Sequence, residues 1–387
     1  MPRYVRLGEL PAKHHIQFRQ PDGSLYSEQL FSTRGFSGPL STLYHVNLPT
    51  EVSGWEDKGP AETELLPDEP LRHRHLKTAQ LKPCGDAVDG RITLMGNQDV
   101  TWSHAHVADQ MDYFYKNAEG DELLFIHNGS GQMESLFGTV TFRPGDYLVV
   151  PRGTIYKLTF DSLPVKMIAI VSHGPIEVPK RYRNEYGQML EHAPYTERDI
   201  RPPEALETHH ERGEFKVLIR ARGRHTMYTY PYHPLDVIGW DGFVFPYAFN
   251  INDFQPIVGK VHMPPPIHQT FQGHNFVVCS FCPRLLDFHP DAVPIPYNHS
   301  NVDSDEVMYY CNDKYGARKG IEEGSITLHP LGIPHGPQPG TVEKSLGASK
   351  TEEMAVMLDT FHPLKMTKAA EKIEDEDYWK SWKTTTG

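Results

Sequence analysis

The sequence predicts an all-β protein of two β-barrel domains. Three observations carry that expectation: short runs rich in β-branched and aromatic residues, turn chemistry between them, and a motif pair that occurs twice in the same order. The runs cover residues 91–94, 122–128, 138–142, 146–150, 165–171, 276–281 and 306–311. Each is short enough to be a strand, and turn formers such as Asn128-Gly129 and Pro144-Gly145-Asp146 bound them. With 31 Gly and 33 Pro in 387 residues, regular structure is interrupted too often for long helices. Only residues 203–212 and the segment from Thr367 onward read as helical, the second with its charges on a solvated face.

Composition also narrows the function. Lys and Arg number 38 against 50 Asp and Glu, a net charge of −12 that repels phosphate backbones and anionic lipid, so neither nucleic acid nor a membrane surface is an expected partner. There is no apolar run of about 18 residues and no apolar signal core near the start, so a soluble, cytoplasmic protein is expected. Four cysteines are too few to staple a chain of this length, which fits the same reducing compartment. Cys279-Ser-Phe-Cys282 has redox spacing but sits in an apolar run with no helix start behind it, and reads as core. The histidine count, 22, is generous for a chain without a His-rich tract.

The repeat emerges when spacing is compared rather than identity. In the first copy Glu122 opens a strand that ends at Asn128-Gly129, and Gly145-x₅-Pro151-x-Gly153-x₂-Tyr156 follows. In the second, Glu306 opens a strand that ends at Asn312-Asp313, and Gly324-x₅-Pro330-x-Gly332-x₂-His335 follows. These strings resemble the two motifs of the cupin β-barrel superfamily, which implies two cupin-like jelly-roll barrels. The expected division is an N-terminal region 1–185 with a vestigial barrel, a C-terminal barrel 186–365 and a helical tail 366–387.

The copies differ where chemistry would occur. His299, Glu306 and His335 are good ligands for a divalent ion, whereas the matching first-copy positions are Tyr115, Glu122 and Tyr156. The first barrel is therefore expected to lack a metal and the second to hold one. Side chains alternate faces along a strand, so an odd offset from His299 to Glu306 would place them apart on a continuous strand. The turn-rich segment 300–305 can bring them back together. Asn301 shares the His299 face but is no third imidazole. Two imidazoles and one carboxylate form the facial triad of non-haem Fe(II) oxygenases, with open positions for substrate and O₂; a zinc hydrolase uses the same donors. Asp305 is a competitor for the Glu306 role.

The string Pro296-Tyr-Asn-His299-Ser-Asn301-Val-Asp-Ser-Asp-Glu306, with Tyr315 and Gly324-Ser-Ile-Thr-Leu-His329-Pro-Leu-Gly-Ile-Pro-His335-Gly-Pro337, resembles the homogentisate 1,2-dioxygenase family. Looser likenesses lie at 25–30, 150–153 and 234–240. The resemblance implies that His299, Glu306 and His335 hold Fe(II), that Tyr315 and His335 contact the substrate, and that His329 lines the pocket. It also implies a trimer-based homo-oligomer. The family's catalytic histidine, which follows the Trp of Val-x-x-Trp-His-Gly, is replaced in Val237-Ile-Gly-Trp240-Asp241-Gly242. Asp241 can accept a proton but, ionised, cannot donate to an oxyanion; His268 is the alternative base. The expected reaction is cleavage of a hydroquinone-type aromatic acid by O₂, homogentisate to maleylacetoacetate, in tyrosine and phenylalanine catabolism. Asp241 leaves room for another ortho-substituted dihydroxy aromatic, and a non-catalytic metal-binding bicupin is the rival from outside enzymology.

Overall fold

The computed structural model describes residues 3–67, 69–263 and 265–384. Antiparallel β-structure dominates it, and the longest α-helix among these residues is the five-residue Thr341–Ser345. The expected strands form at or within two residues of their sequence positions: Arg91–Gly96, Asp121–Ile126, Gly138–Phe142, Asp146–Val150, Val165–Ser172, Phe276–Phe281 and Asp305–Tyr310. The repeat is physical as well. Gly145 and Gly324 both take φ 84°, and Gly153 and Gly332 take 85° and 78°, left-handed values that a side chain would strain.

The first lobe packs an eight-stranded sheet against a seven-stranded one, and the second is built on a six-stranded sheet. The strand orders are linear, so the cupin-like lobes are stacked open sheets rather than single closed rings of hydrogen bonds. Strand parity then sorts the residues. In Asp121–Ile126, Leu124 and Ile126 face the first lobe's interior, while Leu123 and Phe125 face the second lobe. In Asp305–Tyr310, Val307 and Tyr309 enter this interlobe layer and Met308 and Tyr310 the second lobe's interior. Two polar contacts fix the stacking, Tyr147 Oη to Ser280 Oγ at 2.8 Å and Tyr309 Oη to His127 Nδ1 at 2.7 Å.

Hydrogen bonding crosses the boundary expected at 185/186. Arg212–Ala221 and Arg224–Tyr232 extend the seven-stranded sheet, and Tyr247–Asn250 pairs with Asp146–Val150, so strands well beyond residue 186 complete the first lobe. The lobes also exchange edges. Arg74–Lys77 pairs with Ser325–His329 in the second lobe, and Lys365–Met366 pairs with Arg91–Gly96 in the first.

Neither helical expectation holds as stated. The segment 203–212 runs extended until its end, where Arg212–Ala221 begins, because Ala205 bridges Thr139, whose amide donates to the Ala205 carbonyl at 2.8 Å. The tail forms only Lys368–Glu371 and the 3₁₀ turn Tyr378–Trp382, and residues 385–387 lie outside the described residues. Of its aromatic side chains Tyr378 is buried and Trp382 half-buried, while Trp379 is exposed. A fragment ending at residue 185 lacks the strands that complete both first-lobe sheets. It is expected to show no cooperative thermal transition by circular dichroism, whereas the whole chain shows one.

Candidate metal centre

Glu306 lies on the middle strand of three, opposite His329 on Ser325–His329 and opposite Asp359 on Ala355–Thr360. Its position in the alternation turns it into the second lobe with Met308 and Tyr310. The chain between His299 and Asp305 makes the expected turn. His299 itself is held by a two-residue bridge to His335, amide to carbonyl in both directions at 2.8 and 2.9 Å. One donor atom each from His299, Glu306 and His335 then lie within 4.8 Å of one another. His299 Nε2 is 3.6 Å and His335 Nε2 3.3 Å from Glu306 Oε2.

The surroundings orient these donors. His329 is fully buried, and burial pushes its imidazole down to about 3, so it is neutral. Its Nδ1–H donates to Glu306 Oε1 at 2.7 Å, and its Nε2 accepts from the Tyr378 hydroxyl at 3.4 Å. Both nitrogens are therefore engaged. His329, expected to line the substrate pocket, sits behind Glu306 and orients it, the usual outer support of a ligating carboxylate. Burial would raise the Glu306 carboxyl, but hydrogen bonds from His299, His329 and His335 hold it well below the usual range. With its proton on Nε2, His335 donates to Glu306 Oε2 at 3.3 Å; with the proton moved to Nδ1, which faces the Ile333 carbonyl at 3.5 Å, Nε2 turns a lone pair toward the carboxylate. A lone pair opposing a carboxylate lone pair is unfavourable, and a shared cation resolves it, so the donor set fits a divalent ion. His299 Nδ1, buried and without a hydrogen-bond partner, leaves that ring's orientation to its other nitrogen.

The first lobe shows the same position solved without a metal. The Arg91 guanidinium donates to Glu122 Oε1 at 2.6 Å and to Tyr156 Oη at 3.1 Å, and its carbon lies 5.6 Å from the Tyr115 ring centroid. One cation thus contacts all three counterparts of the second-lobe triad. Glu122 is fully buried, and Tyr156 also donates to it at 2.6 Å.

Other expected site residues are distributed unevenly. Tyr315 packs at the interior edge between Phe281 and Tyr310, at centroid distances of 6.0 and 5.1 Å. Asp305 points away from Glu306, accepting the Leu331 and Leu364 amides at 2.8 and 2.7 Å, so it is no rival ligand. Asp241 is not brought to the cluster within the chain. It lies on Val237–Gly242 in the four-stranded sheet with Val5–Gly8 and Leu40–His45, and its carboxylate accepts from Tyr4 Oη at 2.7 Å and meets His14 Nε2 at 3.1 Å. His268 is buried, its ring stacked on Phe281 at 4.4 Å, so it shares a wall with Tyr315. Sequence reasoning missed Arg91, His73, Tyr378 and Trp382. The His73 ring lies 5.4 Å from that of His329 and 4.8 Å from that of Trp382. The aromatic spacing of the tail was the available signal for Tyr378 and Trp382, and the unpaired buried Glu122 was the signal for Arg91.

Comparison with known proteins agrees. Family models described as "Homogentisate 1,2-dioxygenase N-terminal" and "Homogentisate 1,2-dioxygenase C-terminal" match residues 52–251 and 249–386. The chain belongs to the homogentisate 1,2-dioxygenase family. A protein of Saccharolobus solfataricus, provisionally named a dioxygenase with no substrate in its name, is 41% identical over 99% of both chains. A homogentisate 1,2-dioxygenase of Bradyrhizobium diazoefficiens is 26% identical, covering 97% of this chain and 90% of that one. Among solved structures, a cupin 2 conserved barrel domain protein from Leptotrichia buccalis covers 74% of this chain and 96% of its own at 12% identity, with a TM-score of 0.33.

Two outcomes are expected here. Metal analysis of protein loaded anaerobically should find roughly one ion per chain, lost in His299→Ala, Glu306→Gln and His335→Ala. Arg91→Leu strands Glu122 and should cost about 3–5 kcal/mol in urea unfolding, while Arg91→Leu combined with Glu122→Leu recovers most of that loss.

Proposed function

We propose that the chain is an Fe(II)-dependent dioxygenase that opens the ring of a hydroquinone-type aromatic acid. Homogentisate is the first substrate to test, with both atoms of O₂ entering the product, maleylacetoacetate. The carrying observation is the convergence of His299, Glu306 and His335 in the segment that the family's C-terminal model matches. Fe(II), when bound, supplies the redox centre at which ring and O₂ meet.

The chain's own residues do the rest. His329 fixes the Glu306 carboxylate from behind. His268 is the proton acceptor in this reading. Its Nδ1–H donates to the Ser280 carbonyl at 3.2 Å, which leaves Nε2 with a lone pair; burial pushes the ring down to about 3, so it is neutral at pH 7 and holds a ring hydroxyl proton only where the phenolate formed beside it offsets that burial. Burial keeps the Tyr315 phenol protonated, so it serves as a donor to the substrate. Phe281, between the two rings, holds both on one wall.

The alternative of a different ortho-substituted dihydroxy aromatic rested on Asp241, and its carboxylate is engaged by Tyr4 and His14. A non-catalytic metal-binding bicupin gives no role to Tyr315. The reading further assigns the chain small-molecule partners only, a trimer-based homo-oligomer, and a cytoplasmic place in tyrosine and phenylalanine catabolism. No helix among the described residues is long and apolar enough to cross a membrane.

The test is O₂ uptake after anaerobic loading with Fe(II), measured against homogentisate and gentisate. Uptake with homogentisate is expected, abolished in His335→Ala and lowered roughly 10²–10⁴-fold in His268→Ala at unchanged iron content. Uptake with gentisate and none with homogentisate overturns the substrate, and full uptake in Tyr315→Phe counts against the donor role.

A further inference from the structure

Among the described residues Arg318 is an interior cation without an anion. It is half-buried, and among the described residues no carboxylate is in ion-pair contact with it. Three other interior guanidiniums are matched: Arg91 with Glu122 at 2.6 Å, Arg74 with Glu374 at 2.7 Å and Arg284 with Glu353 at 2.8 Å. Arg318 Nη1 donates to the backbone carbonyls of Ala317, at 3.3 Å, and of Gly336. Its Nε is sealed from water and has no acceptor. The hydroxyls of Tyr310 and Tyr378 engage the guanidinium, and the Trp382 ring covers it at 5.5 Å. None of these neighbours carries a negative charge.

The position is adjacent to the candidate metal centre. Gly336 follows His335, and Trp382, which covers Arg318, also donates to the Gly336 carbonyl at 3.2 Å. The Arg318 charge is felt by His73, His329 and Glu306. Glu306 is not the missing anion, because Oε1 is taken by His329 and Oε2 faces the other two imidazoles. A guanidinium N–H in the interior with no acceptor is costly, and an uncompensated charge more so. An arriving carboxylate relieves the second, and a guanidinium matches a carboxylate in geometry.

We propose that Arg318 recognises the carboxylate of the aromatic acid handled at this site, and so selects acids over neutral rings of the same shape. The aromatic acid rests on the function proposed above; the unmatched cation does not.

The test reads binding apart from turnover. Anaerobic calorimetry on the Fe(II)-loaded chain compares homogentisate with its methyl ester, which keeps the ring and both hydroxyls and drops the charge. The acid is expected to bind roughly 10–100-fold more tightly than the ester, the size of a charge-assisted hydrogen bond. Arg318→Gln should bring the acid down to the ester's affinity while moving the ester far less, and Arg318→Lys should keep part of the preference. Equal binding of acid and ester by the wild-type chain, binding of neither, or an acid preference unchanged in Arg318→Gln overturns the proposal. Should Arg318→Gln fail to fold by circular dichroism, Arg318→Lys decides, an undiminished preference being the overturning result. Acid selected through Arg318 in a chain that takes up no O₂ counts against the proposed reaction and leaves the role of Arg318 standing.

Discussion

Each lobe seats a glutamate in its interior, and the charge of that carboxylate dictates what surrounds it. A buried carboxylate without a partner is among the costliest features a fold can carry. The first lobe answers with a permanent cation of its own, Arg91, braced by Tyr115 and Tyr156. The second lobe surrounds Glu306 with imidazoles, one donating to it and two turned toward its other oxygen. The difference between a structural and a chemical lobe is thus a difference in how one negative charge is balanced. A guanidinium fills the space and closes it, whereas imidazole lone pairs leave a position that an exchangeable cation can take.

The architecture supplies rigidity where the chemistry needs it. Glu306 sits on a strand paired on both sides, and alternate residues of that strand anchor the interlobe layer through Val307 and Tyr309. Packing that holds Tyr309 against Phe125 and His127 therefore also sets the direction of the neighbouring carboxylate. The imidazoles of His299 and His335 come from loops, but their mutual backbone bridge makes the pair one unit.

The strands, the paired motifs and the three donors were legible in the sequence because they follow local rules: period-two alternation, turn residues and motif spacing. The same comparison showed which copy would lack ligands. What was not legible depends on pairing between distant segments. The strand of Asp241 pairs with residues near the start of the chain, and those contacts determine what its carboxylate meets. His329 was found near the site, but its place behind Glu306 follows from strand register. The strands that cross the expected boundary were hidden for the same reason, since strands lent across the sequence leave no mark in composition.

That exchange of edges bears on how the protein comes to be made. Leu76 lies opposite Ile326, so the sheet that carries Glu306 receives its border from a segment synthesised about 250 residues earlier. The early segment emerges with its hydrogen-bonding groups unmatched and must wait for nearly the whole chain before it finds its place. Assembly of this sheet is then governed by closing a very long loop, so a competent site is a late event in folding. A cell that makes the protein has to shelter that exposed edge in the interval.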